Sequence, residues 1–212
     1  MNTPFAKFLS IVLHPLLMPT FLLGMLFFTT PAVVGVDLFT PTIRFTLLGF
    51  VGMTTFVIPS LGIYYLYRAG YVQSLHLDNL ADRRLPYFLT ALLYGFATYF
   101  FRYQLAALSE LSPQISTILA SITVSITLVG VISLRWKISA HGTGFGGLLG
   151  AIFGITVKFN ESILLYPLLS LIVLGGLLMS ARLHLNAHTP AQIGAGIGLG
   201  LLVSLTTVWW FV

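Results

Sequence analysis

From Ile163 to Val212 the chain reads ILLYPLLSLIVLGGLLMS, then ARLHLNAHTP over residues 181–190, then AQIGAGIGLGLLVSLTTVWWFV. Two apolar runs flank a short polar island that carries Arg182, His184 and His188. At about 1.5 Å per residue, each run approaches or exceeds the ~30 Å hydrocarbon core of a bilayer. Inside lipid every backbone N–H and C=O must be satisfied within the structure, so runs of this kind cross as helices. The same alternation of apolar run and polar island extends back to the N-terminus, and it sets the fold class: an all-α, polytopic transmembrane helical bundle of six to seven spans.

Composition agrees. The 212 residues are 57% hydrophobic and 7% charged, against about 25% charged in soluble domains. Strand alternation is absent and the apolar runs reach ~20 residues, which fits helical spans rather than a barrel. The net charge of +5 comes from ten basic residues scattered through the loops, with no basic run longer than two. Lipid headgroups or phosphate are therefore the expected partners, and nucleic acid is not. With no cysteine, neither a disulfide framework nor a Cys-ligated metal is available. Residues Met1–Thr20 carry one lysine and no small-residue cleavage site, so they read as a retained span.

The first run, Phe5–Thr30, contains His14-Pro15 and Pro19, so a kink or an interfacial start is expected there. His14 reads as an interfacial histidine, or as a functional intramembrane one. Further spans are expected at Ile43–Tyr67, Tyr87–Leu108, Gln114–Leu134, Phe145–Lys158, Ile163–Ser180 and Ala191–Val212, seven in all in one domain, residues 1–212. The fifth is short unless the end of the preceding island is helical. Gly146, Gly150 and Gly154, and the pairs Gly194/Gly198 and Gly196/Gly200, recur every fourth residue. That spacing lets membrane helices approach backbone to backbone, although glycine can also face lipid.

The islands are residues 69–86, 135–144 and 181–192. Two spans separate each from the next, so all three face one compartment. Arg83, Arg84, Lys137, His141, Arg182 and His188 thereby come within reach of one site. Ionisable groups at a membrane edge are expensive, and their clustering points to function. Arg68 and Arg135 fit a snorkelling belt. Arginine holds anionic oxygens in a fork, and histidine acts as nucleophile or acid–base near neutral pH.

Arg83-Arg84-Leu85-Pro86, Ser139-Ala140-His141 and Arg182-x5-His188 together resemble the three-part motif of the type 2 phosphatidic acid phosphatases, the lipid phosphate phosphatase superfamily. The family pattern is Lys-x6-Arg-Pro, then Pro-Ser-Gly-His, then Ser-Arg-x5-His-x3-Asp. The resemblance covers Arg83 to Gln192. It implies a helical membrane enzyme that removes phosphate from a phospholipid or polyprenyl (di)phosphate without a metal or other cofactor, through a phosphohistidine. By this resemblance His188 is the nucleophile and His141 the general acid. Arg182, Arg84 or Arg83, and Ser139 hold the phosphate, Ser139 together with the backbone amides of the following glycine-rich turn. The chemistry agrees, since phosphoryl transfer needs positioning and charge stabilisation above all.

The chain departs from that pattern at several points. Gln192 stands where the family Asp accepts the N–H of the nucleophilic histidine. Seven residues before Arg84 and Arg83 stand Leu77 and His76, so the family Lys is missing, and Ile138 and Ala140 replace Pro and Gly. Lys137 is a candidate replacement for the cation, and Asp78 or Asp82 for the carboxylate. Two functions follow. One is a divergent lipid phosphate phosphatase. The other is a catalytically degenerate relative that binds anionic lipid or serves as a subunit of a membrane assembly, with a membrane protein or a second copy as partner. The retained arginine and histidines favour the first, and the missing Asp and Lys the second. A transporter fits poorly, for there is no inverted repeat and no acidic pair within a span.

Seven basic residues (Lys7, Arg68, Arg83, Arg84, Arg135, Lys137, Arg182) lie on the island side, against Arg44, Arg102 and Lys158 opposite. The positive-inside rule alone makes the island side cytoplasmic. Without the four phosphate-binding candidates the sides are equal, and the resemblance implies a bacterial inner membrane with the motif face periplasmic.

Overall fold

The computed structural model describes residues 1–75, 77, 79–105 and 110–212, and every regular element among them is helical. The first run gives α1 (Thr3–Val12) and α2 (Met18–Thr29), parted by a 3-10 turn at Pro15–Leu17. α3 (Pro41–Gly52) and α4 (Ile58–Arg68) form one rod joined by a π turn at Met53–Val57. α5 (Leu80–Tyr99) continues as a π turn to Gln104. There follow α6 (Pro113–Ile132), α7 (Ala140–Lys158), α8 (Leu165–His184) and α9 (Pro190–Phe211).

Six helical segments among the described residues are long and apolar enough to cross a membrane: Thr3–Thr29, Pro41–Arg68, Pro113–Ile132, Ala140–Lys158, Ser162–His184 and Pro190–Phe211. A seventh long helix, α5, opens on Asp82, Arg83 and Arg84. Exposed Phe88, Leu92 and Phe96 line one stripe of α5, and exposed Leu165, Leu169 and Ile172 one stripe of α8. Apolar side chains on this scale belong in lipid. The chain is an integral membrane protein built as an all-α bundle.

The helix starts follow from local chemistry. Asn2, Thr40, Ser139 and Thr189 cap α1, α3, α7 and α9, each side chain accepting a backbone N–H from the first turn. Prolines occupy the opening positions of α2, α3, α6 and α9, where a missing N–H costs nothing. Three boundaries differ from the sequence reading. α5 begins at Leu80 rather than Tyr87, with Asp82 in its first turn where the helix dipole favours an acid. α7 begins at Ala140 rather than Phe145, so the end of the second island is helical and the span has full length. α8 extends to His184 rather than Ser180, placing Arg182 and His184 in its last turn, where cations suit the dipole. The expected end of the third span, Leu108 with Ser109, lies outside the described residues.

α7 is the centre of the bundle, touching α2, α6, α8 and α9, and its most extensive neighbour is α9. The two run parallel. Gly142 lies against Ile193 and Ile197, Gly150 against Leu201 and Ser204, and Gly154 against Val208. From the facing side, Gly196 meets Ser139 and Thr143, and Gly200 meets Thr143 and Gly147. Lipid supplies no hydrophobic force to drive helices together, so close approach of small residues takes over that role. Among the described residues nothing meets Gly194 or Gly198, so it is the Gly196/Gly200 register of α9 that packs on a helix.

Candidate functional site

Two hydrogen bonds tie the three islands together. The buried Arg83 donates from Nε to the carbonyl of Leu77 (2.8 Å) and from Nη1 to that of Ile138 (3.0 Å), linking the first island to the second. The backbone N–H of Ser139 then donates to the carbonyl of Gln192 (3.2 Å), linking the second to the third. The three islands are thus held against one another by hydrogen bonds. Arg83 works here as a strap, using a planar fork no lysine can imitate. Arg83→Met is expected to leave two carbonyls unmet, at roughly 1–3 kcal/mol each. A drop in the midpoint of thermal unfolding in detergent, not restored by Arg83→Lys, would show it.

His188 precedes α9 and is almost fully buried. Its Nδ1 lies 3.2 Å from Oε1 of Gln192, and the backbone N–H of Thr189 donates to the same oxygen (3.1 Å). Gln192 therefore presents its carbonyl, and a carbonyl only accepts. Nδ1 of His188 must carry the proton, which leaves the Nε2 lone pair available. Gln192 also completes a capping box with Thr189 at the start of α9. It is a structural cap and a partner of His188 at once.

Burial, then the charge of Arg83, lower the His188 pKa from 6.5 to about 4; Arg182 and Lys137 push the same way, while the Gln192 hydrogen bond opposes them. The imidazole is thus neutral at any physiological pH. An unfolded chain takes up this proton near 6.5 and the native one near 4. Stability from this group is complete above 6.5 and is lost as pH falls toward 4. Any reaction that needs neutral His188 is expected to keep its rate down to about pH 5 and to fail near pH 4, which a pH–rate profile measures.

The second histidine is placed by a helix break. Pro15 has no N–H and pushes His14 into extended backbone, so the helix ends and the carbonyl of Ser10 is released. His141 Nε2–H donates to that carbonyl at 3.0 Å. The ring of His14 stands edge-on to that of His141, with centroids 5.7 Å apart. His14 thus belongs to the site's surroundings, and the signal in the sequence was the His-Pro pair one turn beyond Ser10. Arg182 lies close enough to act electrostatically on His14, His141 and His188 alike. His184 sits apart, its Nε2 3.3 Å from the Thr3 hydroxyl.

The remaining candidates divide. Lys137 is half-buried and its charge reaches His188. Ser139 is fully buried, and its Oγ accepts the N–H of Gly142 (3.1 Å). Arg84 is exposed, a helical step around from Arg83. Asp82 is buried and accepts the N–H of Gln73 (3.4 Å). His76 and Asp78 lie outside the described residues. Among the described residues no three His, Cys, Asp or Glu side chains group as a metal site would require.

No family model, no curated protein and no solved structure matches the chain.

Proposed function

We propose that the protein is a lipid phosphate phosphatase, divergent from the type 2 phosphatidic acid phosphatases, that cleaves a phospholipid phosphate or polyprenyl (di)phosphate at the membrane edge. The observation that carries this reading is His188: neutral, oriented through Nδ1–H, and set with an unprotonated Nε2 in the field of Arg83, Arg182 and Lys137. A neutral imidazole among fixed cations suits attack on a phosphoryl group. Nε2 forms a bond to phosphorus as the P–O bond to the lipid breaks. The departing alkoxide takes a proton that His141 has gained from solvent at Nδ1, which leaves His141 neutral with its Nε2–H still on the Ser10 carbonyl. Water then hydrolyses the phosphohistidine. Arg182 and Lys137 hold the phosphoryl oxygens, with Ser139 shaping the turn beneath. In this reading the motif face is periplasmic in a bacterial inner membrane, as the resemblance to the phosphatases implies.

Two observations favour a second reading, a catalytically degenerate protein that binds anionic lipid or joins a larger membrane assembly. Gln192 supports the imidazolium with no charge, and the N–H of His141 is engaged by backbone. Phosphate release by the purified protein separates the two. Phosphatidic acid, phosphatidylglycerol phosphate and polyprenyl diphosphate form the panel. Release from at least one is expected. Binding of these lipids with no release from any would favour the second reading.

A further inference from the structure

α8 and α9 are consecutive and joined by a short loop, yet each packs on α7 rather than on the other. An apolar crevice of about 210 Å³ separates them, lined by Phe145, Leu149, Ile172, Gly176, Met179 and Ile197. Ile172 to Met179 on α8 is seven residues, or roughly 10 Å at about 1.5 Å each. That length and volume describe a narrow apolar groove of a size that suits an extended hydrocarbon chain. A protein helix, about 10–12 Å across, does not enter it.

The tandem glycines of α8 make this space. A Cβ at Gly175 would press on the buried ring of Phe145, which closes the inner wall. A Cβ at Gly176 would meet nothing within 4 Å, so the crevice stays open beside it. Gly175, Met179 and Arg182 follow the i, i+4, i+7 spacing of one helix face. Arg182 therefore stands at the head of the stripe that lines the crevice, roughly 5 Å of helix rise above Met179.

We infer that the crevice between α8 and α9 holds one hydrocarbon chain of the same lipid whose phosphate sits at Arg182 and His188. This inference rests on the phosphate-binding part of the proposed function and adds a chain-recognition site to it. Only one chain is gripped, so the site selects for a phosphate carried on a long chain that can thread between the helices. A phosphate with chains too short to reach below Met179 forgoes that contact.

The test is binding, so that it does not depend on turnover. Purified full-length protein in nanodiscs of neutral lipid is titrated with oleoyl phosphatidic acid and with its water-soluble butanoyl analogue. Gly176→Phe directs a ring into the crevice from a position where the Cβ itself meets nothing within 4 Å. It is expected to weaken the oleoyl ligand by about tenfold or more, the equivalent of about two buried methylenes, while leaving the butanoyl ligand unchanged. Arg182→Ala is expected to weaken both. Equal binding of the oleoyl ligand to wild type and Gly176→Phe, with Arg182→Ala still weakening both, would overturn the crevice and spare the phosphate site. No effect of Arg182→Ala would overturn the phosphate reading, and the inference with it.

Discussion

Gln192→Glu is expected to raise phosphate release by two to four decades. Oε1 of Gln192 already accepts the Nδ1–H of His188, so a glutamate of the same length places a carboxylate oxygen there without moving the ring. As His188 attacks phosphorus it becomes a cation, and a neutral amide does little to stabilise it. In a serine-protease triad the amide-for-carboxylate exchange costs about 10⁴-fold, part of it from a wrong tautomer that Gln192 avoids here, so the gain is expected toward the lower end of that range. The exchange is kind to the fold, because Glu is the ordinary capping-box partner of Thr and an acid suits a helix N-terminus. It also raises the His188 pKa from about 4, moving the acid limb of the pH profile toward neutrality. An unchanged rate and an unchanged acid limb would mean that Gln192 serves α9 alone.

The second large effect lies in the packing. Gly200→Leu is expected to abolish folded, monodisperse protein, because any Cβ at Gly200 strikes the carbonyl of Thr143 and the N–H of Gly147 on α7. Overpacking a well-filled interior costs about 1–3 kcal/mol when side chains alone must shift. Here the obstacle is backbone on a neighbouring helix, which has no rotamer to change. Separating α7 from α9 also parts Ser139 from Gln192, and with them the two halves of the site. Gly198→Leu, on the same helix but facing open space, is the control and is expected to leave elution and thermal stability intact. Size-exclusion chromatography and thermal unfolding in detergent check both.

Much of this architecture was legible because a bilayer permits few solutions. Apolar run length alone located most of the helices, although six segments among the described residues, α5 not one of them, are long and apolar enough to cross; the one-sided placement of the islands rests on counting seven. Arg83 beside Ile138 and Ser139 beside Gln192 are the contacts that realise it. Helix ends were less legible, since polar residues that look like loop also serve as first and last turns. Asp82-Arg83 opens α5, and Arg182 closes α8, for reasons of helix dipole that hydropathy does not register. The glycine repeats announced a helix contact without saying which register made it. Gly196/Gly200 and Gly194/Gly198 have the same spacing, and only three-dimensional placement separates them. The engagement of His141 by Ser10 was out of reach of any motif. It depends on a carbonyl released far away in sequence by Pro15.

The central claim is that His188 Nε2 takes the phosphoryl group. It is tested most directly by rapid quenching of the protein with radiolabelled phosphatidic acid, followed by peptide mapping at alkaline pH, where phosphohistidine survives. The account predicts an acid-labile label on the peptide containing His188, strengthened in Gln192→Glu and absent in His188→Ala. Phosphate released with no label on that peptide, or release undiminished in His188→Ala, would contradict it.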